Sequence, residues 1–506
     1  MRKFFLLASL FIPNKPVLFG LLTLSLITQG WGQNFSAFPY GVASGDPYSE
    51  SVVLWTAIHP TQSVETLVWE CTSDSTFNHI DISGIAMTTA NSGGTVKVIA
   101  RGLQASTHYY YRFWWNESTS PVGRTKTAPP PNAMEPIKLG VVSCANYEAG
   151  FFHAYKALAA QEGLDAVVHL GDYLYEYAPI KAKWTLAERK HIPNHELLSI
   201  EDYRLRYAQY HQDPDLQALH AAHPIIAIWD DHEIANNSYQ SGAQNHQAEE
   251  GAYLDRAKAA MQAYREWMPI REDQPQGYRV LRFGQMVDLI LLETRLDGRT
   301  AQPKKNEDRF QPEEVHHMMS PHQRDWLLGS LEQSQAAYRV ICNQVIFSPL
   351  NLGVLPSKKV ASYNLDAWDG YAKERDLLSS YFATSAPVVI LTGDSHCAWA
   401  FQNKGYVELC VQSITSPNFN EFAQPLIARL AGFLLKWENH NLEFVNTRDH
   451  GFMLVEFGQA YVESTWVFMD EIKQKAGGQI QHKRKRRFVP WTKNALRRAP
   501  FALGPL

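Results

Sequence analysis

Cysteine is scarce in this chain: Cys71, Cys144, Cys342, Cys397 and Cys410 are the only five in 506 residues, and no two form a CxxC pair. That excludes a dense disulfide framework, and an odd number leaves at least one thiol without an intramolecular partner. Long apolar runs are equally few. Beyond residue 32 no stretch is long and apolar enough to span a bilayer. There is no twin-arginine pair near the start, no internal repeat and no long low-complexity segment. Acidic residues are missing from both ends: residues 1–32 carry +3 and residues 481–506 carry +8, so a total of −4 leaves −15 on residues 33–480. A body of that charge makes a poor surface for polyanions, which argues against nucleic-acid binding as a main role. With 45% hydrophobic and 12% aromatic residues the composition is that of a folded, globular chain of more than one domain.

Residues 1–32 open with Arg2 and Lys3, run through two apolar segments interrupted by Pro13-Asn14-Lys15-Pro16, and end in Gly30-Trp31-Gly32. The layout is that of a secretory signal, implying an exported, periplasmic or extracellular protein; a retained amino-terminal anchor is the alternative. At the other end, HKRKRR at 482–487 opens a basic tail, 481–506. It reads as a solvated end first and as a contact for an anionic membrane surface second.

Between these ends the pattern changes once. Residues 33–130 hold short strand-like runs, ESVVLWTAI, ETLVWECT, GTVKVIARGL and THYYYRFWW, separated by turn residues. This spacing predicts a small fibronectin- or immunoglobulin-like β-sandwich, with a tyrosine near the start of the last run able to bond back to the preceding corner. The proline-rich APPPNAMEP at 128–136 then reads as a stiff linker. Residues 131–480 alternate buried-type strands (IKLGVVSC, LDAVVHLGD, PIIAIWDD, VDLILLE, RVICNQVIF, PVVILTGD, VELCVQSI) with helical stretches around 151–162, 200–220, 246–267, 321–333, 373–384 and 421–436. Continuous apolar strands predict an α/β arrangement whose sheets are covered on both faces.

Four of those strands end in residues that bind cations: Cys144 in VVSC, Asp172 and Tyr175 in HLGDYLYEY, Asp231 in IWDDHE, and Asp394 and His396 in LTGDSH. The carboxyl ends of such strands are where α/β active sites gather. Singly, Asp172, Asp231 or Asp394 could be a turn or helix-cap aspartate, and Cys144 a small buried hydrophobe. Four aligned strand ends argue for a site. Carboxylates suit calcium, magnesium or manganese, whereas thiolate, phenolate and imidazole suit a more Lewis-acidic transition metal, so the ligand set is asymmetric. A pair of cations of this kind answers the charge problem of a phosphoester, whose anionic oxygens repel a nucleophile. Cys397 follows His396 on the opposite strand face and reads as packing.

These strings come in an order that resembles the alkaline phosphatase D (PhoD-like) family of the calcineurin-type metallophosphoesterase superfamily, from GVASGDP at 41–47 through SCANYEAGFF, LGDYLYEY, WDDHEIANN, DAWDGY at 366–371, TGDSH and SITSPN. The resemblance covers nearly everything after the first segment. It implies an α/β (α+β) four-layer sandwich of two mixed sheets flanked by helices, preceded by the β-sandwich domain. It also implies hydrolysis of phosphate mono- and diesters at neutral to alkaline pH outside the cytoplasm. By the same resemblance Asp172 is the bridging carboxylate and Tyr175 the tyrosinate of iron-containing members. Cys144 stands where a carboxylate is more usual, and His396 completes the iron side. Asp231 and Asp394 give an oxygen-rich second site suited to calcium, with Asn236 as a weaker candidate ligand. The implied centre is therefore binuclear or larger, Fe3+ with Ca2+, with Zn2+, Mn2+ or Mg2+ as alternatives.

His232, beside Asp231, is expected to lean toward the phosphate or the leaving oxygen without binding metal and to act as proton donor. Attack by a metal-held hydroxide then requires no side-chain nucleophile. Two other readings stand beside a general phosphatase. One is a phosphodiesterase specialised for phospholipid or cell-wall polymers, and the other a catalytically idle exported binding protein. Oligomeric state is not legible.

Overall fold

In the computed structural model, residues 36–488 are described apart from 274–275, 313–314, 354–361, 386 and 423–424. The signal-like segment and residues 489–506 of the basic tail lie outside them.

The continuous apolar runs become the inner strands of two sheets. One has nine strands in the order Ile480–Phe488, Val462–Met469, Gly451–Phe457, Ile137–Val142, Ala166–His169, Ile225–Ala227, Val42–Tyr48, Ser51–Ala57 and Thr95–Arg101. The other has seven, in the order Arg279–Phe283, Val287–Leu291, Tyr338–Asn343, Val388–Thr392, Tyr406–Cys410, Ala398–Asn403 and Leu442–Asn446. The central pairings are parallel in both sheets and the outer ones antiparallel. Leu139, Val141 and Val168 on the first sheet face Leu289, Val340 and Leu391 on the second within one core. The opposite face of the first sheet packs Val142, Val167 and Ile225 against helical Leu158, Tyr207, Leu219 and Trp267. Behind the second sheet, Ile290, Ile341 and Ile390 meet Leu327, Leu378 and Leu435. Four layers result, because each strand with apolar residues on both faces has to be covered twice.

Most helices fall where the sequence places them. The stretch at 200–220 is two helices, Ile200–His211 and Pro214–Ala222. Asp213 accepts hydrogen bonds from the backbone N–H groups of Asp215 and Leu216, and Pro214 occupies the first turn, where its missing N–H costs nothing.

The amino-terminal sandwich is present but is not set apart by its linker. Val52, Leu54 and Val96 pack against Leu67, Tyr111 and Phe113 of a separate five-stranded sheet. Their own strands belong to the nine-stranded sheet, through Val42–Tyr48 running parallel to Ile225–Ala227. Sequence pattern misses Val42–Tyr48 because VASGDPY has no apolar alternation. Gly45 is required there, since a Cβ would sit 2.1 Å from the Pro269 carbonyl oxygen and 2.4 Å from that of Ile225. Asp46 follows, buried, accepting from the Arg271 backbone N–H at 2.9 Å and pairing with Arg279 at 2.8 Å. Asp46→Ala strands a buried guanidinium, so it is expected to cost about 3–5 kcal/mol in denaturant unfolding. The corner tyrosine is Tyr109, whose hydroxyl accepts the Gln104 backbone N–H at 2.9 Å.

The basic run corrects the reading of a free tail from residue 481. Ile480–Phe488 is an edge strand antiparallel to Val462–Met469, with Lys485 and Arg487 both bonded to Glu463. Charge along an outermost strand discourages pairing with another chain, so a basic run and a strand are compatible here. All five cysteines are free and buried.

Candidate metal centre

Strands Ile137–Val142, Ala166–His169 and Ile225–Ala227 lie side by side and parallel, so the turns after them emerge at one edge. Val388–Thr392 delivers Gly393 and Asp394 from the facing sheet; a Cβ on Gly393 would lie 3.0 Å from the Ser143 side chain. The backbone is strained where the ligands sit: Cys144, Asp172, Asp394 and His396 have φ of 59°, 53°, 57° and 59°. Left-handed backbone is uncommon for residues with a Cβ and costs on the order of 1–3 kcal/mol each. Four instances in one cluster are the signature of a functional site held by its surroundings. Gly171, at φ 96°, lets the second turn pass the third, since a Cβ there would lie 2.4 Å from Asp230 Cβ. Gly171→Ala is therefore expected to lower the thermal midpoint and loosen the whole cluster, which calorimetry with and without added metal would detect.

Three groups of side chains each bring ligand atoms within 4.8 Å of one another: Cys144 with Asp172 and His396, Asp172 with Asp231 and His232, and Asp230 with Asp231 and Asp394. Asp172 belongs to the first two groups and Asp231 to the last two, the sharing expected of bridging carboxylates. The Tyr175 hydroxyl joins the first, 3.1 Å from Asp172 Oδ2 and 3.3 Å from His396 Nε2. His396 Nδ1 lies 2.7 Å from the Pro417 carbonyl oxygen, which fixes the proton on Nδ1 and leaves Nε2 its lone pair. Burial lowers the His396 pKa to about 4, so the imidazole is neutral and able to ligate.

The electrostatics call for cations. Burial, reinforced by neighbouring carboxylates, pushes the Asp172 carboxyl well above its ordinary range, Asp230 to about 8 and Asp394 to about 7. Burial also raises Cys144 and Tyr175, each with Asp172 as the next contributor. For Asp231 burial again acts upward, but Arg295 and His232 outweigh it and hold the group at about 2. Asp172 Oδ1, Asp231 Oδ1 and Asp230 Oδ2 are buried without hydrogen-bond partners. Mutually repelling carboxylates with orphaned oxygens suit bound metal, which favours the deprotonated forms. Thiol, phenol, imidazole and carboxylate on one side fit a transition metal, and carboxylates alone on the other fit a hard cation.

His232 is buried, its Nδ1 2.7 Å from Glu176 Oε2 and its ring 4.1 Å from that of Tyr175. Burial alone would lower its pKa, but Glu176, Asp231 and Asp172 together raise it well above the usual histidine value. The residue also lies within ligand distance of Asp172 and Asp231. Asn236 donates its backbone N–H to Glu176 at 2.7 Å and a side-chain N–H to Gln244 at 3.2 Å, bonds that leave its amide oxygen uninvolved.

Five further residues shape the site. Asp230 completes the third group. Glu233 accepts the backbone N–H groups of Asp172, Tyr173 and Asp230 at 3.1, 2.5 and 2.7 Å and so locks two turns together. Glu176 orients His232. Ser416 Oγ lies 2.6 Å from the Tyr175 hydroxyl and 2.8 Å from the Cys144 carbonyl oxygen. Arg295 is fully buried, bonded to Asp230 and, at 2.7 Å, to Asp366, with Nη2 3.4 Å from Asp231 and 3.9 Å from Asp394. Four of these lie inside strings already marked as motifs. Arg295 ends the run after VDLILLE, a strand-end position of the same kind.

A four-layer α/β sandwich whose facing sheets bring polar strand ends to one cluster has the architecture of the metallophosphoesterases. The model of the PhoD-like phosphatase family matches residues 139–466, and that of the PhoD-like phosphatase amino-terminal domain matches residues 28–129. The chain belongs to the PhoD-like phosphatase family. It is 37% identical over 394 residues to alkaline phosphatase D of Bacillus subtilis (strain 168), an alignment covering 72% of this chain and 66%, just under two thirds, of that relative. A solved structure of PhoD superposes with a TM-score of 0.80 at 31% identity, covering 90% of this chain and 91% of that one. The purple acid phosphatase PPD1 from yellow lupin shares the fold, with a TM-score of 0.56 at 12% identity over 88% of this chain and 73% of its own.

Proposed function

We propose that this chain is an exported phosphoric ester hydrolase that uses a metal centre to cleave small phosphate mono- or diesters. The observation that carries this reading is a chain of shared carboxylates: Asp172 belongs both to the group with Cys144 and His396 and to that with Asp231 and His232, and Asp231 links the latter to the acidic group of Asp230 and Asp394. Family membership supports it independently. In the finer proposal Cys144, Asp172, Tyr175 and His396 hold Fe3+, while Asp172, Asp231 and Asp394 hold Ca2+.

Cations bound there would neutralise the ester's oxygens and activate a water. The protein's own groups do the rest. Arg295 tempers the repulsion among Asp230, Asp231 and Asp394 and fixes their geometry. His232, charged and steered by Glu176, holds a proton for the departing oxygen. Glu233 and Ser416 keep the turns from relaxing when the ester leaves.

The test is hydrolysis of p-nitrophenyl phosphate and bis-p-nitrophenyl phosphate by the purified protein. Turnover of either supports an esterase, the ratio assigns mono- or diester preference, and inactivity on both with full metal loading contradicts the proposal. The iron assignment has its own readout. A thiolate or phenolate on Fe3+ gives a visible charge-transfer band, expected to weaken in Tyr175→Phe and in Cys144→Ser. A colourless, fully active preparation holding only zinc or manganese would overturn the iron assignment and leave the esterase standing.

A further inference from the structure

The helix Pro425–Glu438 carries an apolar stripe that is exposed among the described residues. Leu426 is 76% exposed, Leu430 55%, Phe433 69% and Trp437 71%. At about 100° per residue these four fall within an arc of about 60°. Leu435, on the opposite side of the helix, is buried in the core behind the seven-stranded sheet. The helix is therefore seated by one face and presents large side chains on the other. Phe422, just before it, is also 71% exposed.

The second observation is charge beside that stripe. Phe433 and Lys436 line one cleft together with Arg448, Arg484 and Arg486, the two last from the edge strand Ile480–Phe488, against a single acid, Glu443. Exposed aromatic and aliphatic residues bordered by basic ones are the composition of an interfacial helix, whose apolar side enters the acyl boundary while cations meet lipid phosphates. Residues 33–480 carry −15 in all, so this basic border favours turning this face toward an anionic surface. A second copy docking on the same face would set this basic cleft against its own like charges.

We propose that this helix and the basic edge strand form a docking face for an anionic phospholipid bilayer. The chain enters the helical region directly from Ser416 and Pro417, which bond Tyr175 and His396.

The experiment uses the full-length protein with an environment-sensitive fluorophore at a cysteine introduced as Leu430→Cys, and a control at Lys258→Cys, exposed on another helix. The native cysteines are buried, so labelling is selective. Vesicles of phosphatidylglycerol with phosphatidylcholine are expected to blue-shift and brighten the probe at 430 and leave that at 258 unchanged. Arg484→Glu, or vesicles of phosphatidylcholine alone, should raise the lipid concentration for half-maximal response at least ten-fold. The readout is local to residue 430, whatever the amino-terminal segment does. An unresponsive probe at 430 overturns the proposal. So does a response equal at 258, or a dimer in light scattering that Phe433→Glu dissociates, which would assign the face to a second copy. Aryl phosphate hydrolysis is not part of this readout, so its failure and the failure of docking are separable.

Discussion

Asp172→Asn is expected to lose both metals and at least about a thousand-fold in turnover, on the order of 4 kcal/mol of transition-state stabilisation. The size follows from sharing. Asp172 is the one side chain common to the ligand group with Cys144 and His396 and the group with Asp231. An amide keeps the shape but removes the charge that holds two cations near each other. The substitution should not unfold the protein. Asp172 is buried, its pKa raised by burial, with neighbouring carboxylates adding to it, and Oδ1 has no hydrogen-bond partner. Removing a repelling charge is thus expected to leave the unfolding midpoint of the metal-free protein unchanged or higher. Loss of metal with retained stability separates a ligand role from a structural one.

His232→Ala is expected to keep its metals and lose about 10²–10⁴-fold in kcat, the range for removal of a positioned general acid. The imidazolium's partner is Glu176, at 2.7 Å, so Glu176→Gln should weaken turnover less, by about 10–100-fold, as expected for loss of an orienting group. Metal content is the discriminating measurement. His232 lies within ligand distance of Asp172 and Asp231. If His232→Ala lost metal in step with activity, the residue would be a ligand and the proton-donor role would fall.

Much of this was legible in the sequence because strands that end in polar residues declare themselves twice, by the apolar run and by the cation-binding side chains just past it. Cys144, Asp172, Asp231, Asp394 and His396 meet in space as the strand ends imply, and Tyr175, three residues after Asp172, folds back onto the same group. The four layers arise from the same apolar runs. The features that were not legible depend on contacts distant in sequence. Arg295 has no local signature, and its role arises only when Asp230, Asp231, Asp366 and Asp394 surround it. Strand Val42–Tyr48 is defined by close backbone approach at Gly45 rather than by apolar pattern, so the division between amino-terminal and catalytic parts looked sharper in sequence than it is in space. The basic run at 482–487 becomes a strand only because Val462–Met469 offers a free edge with Glu463 on it.

The central claim is that one carboxylate-linked cluster holds the metals on which ester hydrolysis depends. It is tested most directly by measuring metal stoichiometry and bis-p-nitrophenyl phosphate hydrolysis on one preparation, before chelation, after it and after metal is restored. The account predicts at least two metal ions per chain, loss of hydrolysis in step with their removal, and recovery on reconstitution in the parent protein but not in Asp172→Asn. A metal-free preparation that hydrolyses the ester at the full rate would contradict it.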